Sequence, residues 1–134
     1  MTTENISQVY EMIRRFKKEK NFLILAHLYE DLAVQKAADF CGDSFELAKR
    51  AKASEAENIL FCGVRFMGES AKLLCPEKHV FLPCPDAGCA MADMVSGADI
   101  RALKEAHPNA AVVCYINSGA ETKAECDVCV TSSN

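Results

Sequence analysis

The chain lacks any apolar run long enough for a bilayer. Stretches such as 22–26 fall far short of the roughly 20 residues a spanning helix needs. It also lacks an excess of positive charge. Fifteen basic residues stand against nineteen acidic ones, for a formal net charge of −4, so no basic stripe is offered to nucleic acid or to an anionic membrane. Met1-Thr2-Thr3-Glu4-Asn5 has neither the charged first region nor the apolar core of a secretion signal, and a cytoplasmic protein is the expectation. No GxGxxG and no P-loop sequence is present, which leaves nucleotide binding with little behind it.

What is there is an ordinary globular composition. Of 134 residues, half are apolar and a quarter are charged, which excludes disordered and collagen-like classes. The length suits one domain, or one small domain and part of a second. A chain of this size buries about two-thirds of its unfolded surface and needs no staples. Eight cysteines are the one oddity. Without an export signal they are expected to be reduced thiols. Cys62 in Ile59-Leu60-Phe61-Cys62 and Cys114 in Val112-Val113-Cys114-Tyr115 are expected as strand core, because a buried thiol behaves as a small hydrophobe.

Helical and strand patterns alternate along the chain. Apolar Ile6, Val9, Tyr10, Ile13 and Phe16 recur three and four apart, predicting a helix over 4–20 with a basic last turn. The run 22–26 predicts a strand buried on both faces, followed by helices over 32–38 and 45–53. Strands are expected at 58–62, 79–82, 111–115 and 128–131. Helices are expected at 66–74, 100–106 and 120–126, with an apolar helical start at 90–95. Such alternation implies parallel β/α units with helices on both sheet faces and right-handed crossovers. Proline density at 83–86 suggests a boundary, giving a first αβα domain over 1–85 and part of a second over 86–134. Phe61-Cys62-Gly63-Val64 and Val113-Cys114-Tyr115-Ile116 align, and the same register pairs Glu69-Ser70 with Glu121-Thr122. That match suits either a duplication or generic β/α periodicity.

In open parallel sheets, ligands bind outside the carboxyl ends of the strands. The residues found there are His27 and Tyr29; Gly63, Arg65 and Met67; the Asp86-Ala87-Gly88-Cys89 turn; Tyr115 and Asn117; and Ser132, Ser133 and Asn134. Cys89 stands apart from the other cysteines: Gly88 permits a sharp turn before it, and a helix start after it would favour the thiolate. Gly42-Asp43-Ser44 precedes a helix. It could hold an anion at the positive helix end, or simply cap the helix. Cys84-x4-Cys89 is a possible pair restricted by Pro85. Cys126-Asp127-Val128-Cys129 has CxxC spacing without a partner CxxC.

As a set, these residues resemble the quinolinate synthase family, iron–sulfur enzymes of NAD biosynthesis. The resemblance runs in order through Ala26-His27-Leu28-Tyr29, Ala38-Asp39-Phe40-Cys41-Gly42-Asp43-Ser44-Phe45-Glu46-Leu47-Ala48 and Phe61-Cys62-Gly63-Val64-Arg65-Phe66-Met67. It continues through Leu82-Pro83, Ala87-Gly88-Cys89-Ala90-Met91-Ala92-Asp93-Met94, Tyr115-Ile116-Asn117 and Thr131-Ser132-Ser133-Asn134. It implies three-layer αβα sandwich units with parallel sheets, arranged as three similar domains about a pseudo-threefold axis. It also implies a [4Fe–4S] cluster held by one cysteine from each domain, with one iron left open as a Lewis acid.

By the same resemblance, Cys89 corresponds to the first cluster ligand. His27, Ser44, Tyr115, Asn117 and Ser132 fall on positions that contact iminoaspartate, and Tyr29 and Tyr115 on catalytic ones. The implied reaction condenses iminoaspartate with dihydroxyacetone phosphate to quinolinate, losing phosphate and water. L-aspartate oxidase or aspartate dehydrogenase is the implied functional partner. Arg65 departs from a common His, and Leu28 and Glu30 from a frequent Tyr and Gln. Family members are about twice this length or more, so the expectation is an N-terminal portion that does not turn over alone. Ser132, Ser133 and Asn134 are capping types where another helix would begin. Two other readings are a flavodoxin-like phosphate or flavin module, for which His27-Leu28-Tyr29-Glu30 lacks the glycines, and a CxxC zinc or redox module.

Overall fold

A computed structural model describes residues 3–132; the expectations placed on Met1, Thr2, Ser133 and Asn134 lie outside the described residues. The first helix, α1 (Thr3–Glu19), carries the predicted apolar stripe and the basic last turn. Asn21, at φ 50°, turns the chain into strand β1 (Phe22–His27). Asparagine is among the few side chains that accept this left-handed conformation readily. From Ile24 onward, β1 is buried along its whole length, as a central strand should be.

After helix α2 (Leu32–Ala37) comes a strand that periodicity does not reveal, β2 (Phe40–Gly42). Three residues are too few for an alternation to be read. It forms because Asp39 docks on β1. The Asp39 carboxylate accepts from Ile24 N at 2.9 Å, the Asp39 N–H donates to Ile24 O at 2.8 Å, and Lys17 Nζ pairs with the same carboxylate. Helix α3 (Ser44–Ala53), strand β3 (Asn58–Cys62), helix α4 (Arg65–Leu74) and strand β4 (His79–Phe81) follow. The four strands form one parallel sheet in the order β2-β1-β3-β4.

Alternate residues of β1 face opposite layers. Leu25 joins Leu47, Ala48, Ile59, Phe61, Phe66 and Ala71 in the core beneath α3 and α4. Ile24 and Ala26 join Cys62 on the other face, against Ile13 of α1 and Val34 of α2. Three layers result, helices on both sides of a parallel sheet. The coverage is uneven, because Ile6, Val9, Met12 and Phe16 of α1 remain exposed.

Helix α5 (Gly97–Ala106), strand β5 (Val113–Tyr115), helix α6 (Ala120–Ala124) and strand β6 (Val128–Val130) complete the described chain, with β5 and β6 pairing in parallel as a second sheet. Several expectations need correction here. Residues 90–95 form turns and no helix: Ala92 alone of them reaches the core, while Met91, Met94 and Val95 are exposed. Helix α5 starts three residues before the predicted 100, because Ser96 and Asp99 form a reciprocal capping box. Cys114 is only half-buried, since this two-stranded sheet leaves Val113, Tyr115 and Val128 exposed around it; Cys62 is buried as expected.

The two sheets are tied through α4 and α6. Helix α6 is preceded by Gly119, which has no side chain to cap with. Glu69 of α4 supplies the carboxylate instead, accepting from Ala120 N at 2.8 Å, and Lys123 Nζ donates to Ser70 Oγ at 2.6 Å. Lys78 acts similarly at the other end of α3. Its buried ammonium donates to Ala51 O at 2.7 Å and also to Ser54 O, satisfying carbonyls the helix leaves open. Lys78→Met is expected to lower unfolding free energy by about 1.5–3 kcal/mol, the range for hydrogen bonds to a charged group. A denaturant midpoint unchanged from wild type would show that those carbonyls are equally well served by water.

Candidate functional site

One cleft of about 860 Å³ lies along the carboxyl ends of the strands. His27 ends β1. Asp43 and Ser44 follow β2, Val64, Phe66 and Met67 follow β3, and Tyr115, Ile116 and Asn117 lie at the end of β5. Thr131 and Ser132 follow β6, and Gly88 and Cys89 come from the loop between the sheets. All seven predicted site residues, His27, Tyr29, Ser44, Cys89, Tyr115, Asn117 and Ser132, line this single space. Parallel strands put all their carboxyl ends on one edge, which is why residues scattered over a hundred positions converge.

His27 is buried, and burial lowers its pKa; Glu30 and Asp43 pull weakly the other way. Its Nδ1 accepts from Tyr29 N at 3.3 Å, so the neutral ring carries its proton on Nε2, ready to donate. The Tyr29 ring stands edge-on to the imidazole, 4.6 Å between centroids, and is 93% exposed. Among the described residues, the hydroxyls of Tyr29, Ser44, Tyr115 and Ser132 and the amide of Asn117 carry no hydrogen bond. Five unengaged polar groups and a histidine donor therefore face one cavity.

At Gly42-Asp43-Ser44 the capping alternative takes the helix amides and leaves the Ser44 hydroxyl. Asp43 Oδ1 already accepts from Phe45 N at 3.0 Å and Glu46 N at 2.8 Å, so the carboxylate caps α3 and only the Ser44 side chain remains for a ligand. Lys49, which sequence reasoning missed, also lines the cleft, with its ammonium 4.9 Å from the centroid of the Phe45 ring. The signal was present: Phe45 and Lys49 stand four apart on one face of α3.

Cys89 alone of the eight cysteines lines this cleft. Its context differs from expectation in two ways. No helix follows it to polarise the thiol, and among the described residues no glycine has positive φ. A Cβ at Gly88 would stand 2.8 Å from an Asp93 carboxylate oxygen, so a larger residue there would have to displace that side chain. That carboxylate accepts from Cys89 N at 3.1 Å and pairs with Arg65, which fixes the turn. Cys84 faces a different, apolar groove, so Cys84 and Cys89 are not paired. Cys75 is buried with its thiol on Ala71 O, and burial drives Cys62 up to about 11. Cys89 Sγ is half-buried and makes no hydrogen bond among the described residues, which suits a metal ligand. Among those residues no group of three or more His, Cys, Asp or Glu could hold a metal ion. The donor set fits one ligand of a cluster, not a whole site.

The sequence matches the family described as quinolinate synthetase A protein over residues 11–134. It is 52% identical over 134 residues to a quinolinate synthase of Aquifex aeolicus, covering all of this chain and 42% of that protein. It is 57% identical over 122 residues to quinolinate synthases of Dehalococcoides mccartyi and Clostridioides difficile, covering 91% of this chain and 40% of each. The chain thus spans about two-fifths of the length of these relatives. Among the described residues, no helix is long and apolar enough to cross a membrane.

Proposed function

The chain belongs to the quinolinate synthetase A family, and we propose that it forms the dicarboxylate-binding part of a quinolinate synthase. That enzyme would condense iminoaspartate with dihydroxyacetone phosphate to quinolinate in the cytoplasm, with L-aspartate oxidase or aspartate dehydrogenase supplying the imine. The observation that carries the reading is the convergence of unengaged donors in one cleft with a single free thiol. A dicarboxylate needs several hydrogen-bond donors at fixed spacing, and charge-assisted bonds are the strong ones.

In this reading, His27 Nε2–H and the Ser44 hydroxyl hold one carboxylate from the larger sheet. The Tyr115 hydroxyl, the Asn117 amide and the Ser132 hydroxyl hold the other from the smaller sheet. Tyr29 Oη, at the mouth, carries a proton to or from the second substrate, and Tyr115 orients the imine for attack. Cys89 would hold one iron of a [4Fe–4S] cluster, which when bound supplies Lewis acidity at an iron without protein ligand. The domain boundary belongs near residue 85, and the remaining ligands on chain beyond these residues. The test is quinolinate formation by the full-length enzyme after anaerobic cluster reconstitution, with both substrates supplied. No quinolinate from a protein with an intact cluster would overturn the reading.

His27 also makes a pH prediction. Its folded pKa lies below the ordinary 6.5 because of burial, so the unfolded chain binds more protons and stability rises with pH. The contribution is fully present above about pH 6.5 and is lost as pH falls through the folded value. Asp99 and Asp127, also lowered, act only below their ordinary 3.8. Unfolding free energy is therefore expected to decline as pH falls below about 6.5, and less steeply in His27→Gln. Equal slopes in both proteins would assign the decline elsewhere.

A further inference from the structure

The CxxC spacing at Cys126 and Cys129 is not used by the site described above, and the fold gives Cys129 a different neighbour. Cys114 and Cys129 are direct register partners on the parallel strands β5 and β6. Side chains in register on adjacent strands point to the same face, and strand spacing of about 4.8 Å lies within the Cα window of a disulfide. Their sulfurs are 3.3 Å apart, closer than a van der Waals contact and about 1.3 Å from the S–S bond length. Cys126 Sγ is engaged on Thr122 O at 3.1 Å. We propose that Cys114 and Cys129 are a thiol modification site, which a low-molecular-weight disulfide converts reversibly to an intrachain bridge between β5 and β6.

The chemistry balances without metal. Cys129, the exposed member, attacks one sulfur of oxidised glutathione and releases one glutathione, leaving a mixed disulfide. Cys114 then attacks the Cys129 sulfur and releases the second glutathione. The two protein protons end on the two released thiols. Burial, together with the neighbouring Cys129 and Cys126 sulfurs, pushes the Cys114 thiol up to about 12. A thiol so raised is a poor first attacker, so Cys114 takes the second, resolving step, where its sulfur already lies 3.3 Å from that of Cys129. The bridge lies where it would be felt. Tyr115 and Asn117 follow Cys114 by one and three positions, and Ser132 follows Cys129 by three.

The test is to incubate the reduced, anaerobically purified protein with oxidised glutathione, block free thiols, and digest with trypsin without reduction. Cleavage at Lys123 separates Cys114 from Cys126 and Cys129. The expected product is one cross-linked peptide pair, two hydrogens lighter than the sum of its parts and cleaved by dithiothreitol. It should be retained in Cys126→Ala and lost in both Cys114→Ala and Cys129→Ala. Bridging within the Cys126–Cys129 peptide, or a glutathione adduct on Cys129 that never resolves, would overturn the proposal. So would a pair that survives Cys114→Ala. Mass alone decides these outcomes, so they stand whether or not quinolinate is the product.

Discussion

Serine at position 89 is expected to abolish both the iron–sulfur absorbance of the full-length enzyme and its turnover. A cluster ligand must be a thiolate within bonding reach of iron, and Cys89 is the one cysteine of eight whose thiol reaches the strand-end cleft. Its turn is held by Asp93 and Arg65 independently of the sulfur, so the variant should fold. The other positions divide by environment. Cys62→Ser and Cys75→Ser place a hydroxyl in buried surroundings and should cost stability, about 1–3 kcal/mol where no partner is found. Serine at 84 or 129, both exposed, should cost little. The 134-residue chain alone should retain no four-iron cluster after reconstitution, because one thiolate cannot do the work of three. Stoichiometric iron in this chain, or a wild-type spectrum in Cys89→Ser, would assign ligation to other cysteines.

Tyr115→Phe and Asn117→Ala are expected to lower kcat/KM by roughly ten- to a hundredfold each while leaving the cluster spectrum intact. The magnitude follows from losing one hydrogen bond to a charged partner, about 1.5–3 kcal/mol, if it acts in the transition state. The structure explains why stability should be spared. Neither the Tyr115 hydroxyl nor the Asn117 amide has a partner among the described residues, and the local backbone is held by other bonds. Ser118 Oγ donates to Tyr115 O at 2.9 Å, and Ile116 N donates to Val130 O at 2.8 Å. Wild-type turnover in either variant would return that side chain to a passive role, and loss of the cluster would mean it supports the iron side of the cleft instead.

Much of this was legible along the chain. Continuous apolar runs at β1 and β3 and the three-and-four spacing of α1 and α4 are local patterns, and they determined parallel strands with helices between them. Because such strands share one carboxyl edge, the runs themselves pointed to His27, Tyr29, Cys89, Tyr115, Asn117 and Ser132, which line one cleft, and also to Gly63 and Arg65, which do not. Ser44 came with the family resemblance, since the strand before it has no readable alternation. What the sequence could not determine depends on contacts between distant positions. Strand β2 exists because Asp39 bonds Ile24, fifteen residues earlier. Glu69 caps a helix that begins fifty-one residues later, at Ala120. Residues 90–95 have an apolar helical pattern, but only Ala92 of them packs into the core, so the turn wins. Cys114 sits in an apolar run, yet its sheet has two strands, and that sheet sets it half-exposed against Cys129. Periodicity reports which face of an element would be buried; only tertiary packing supplies the surface that buries it.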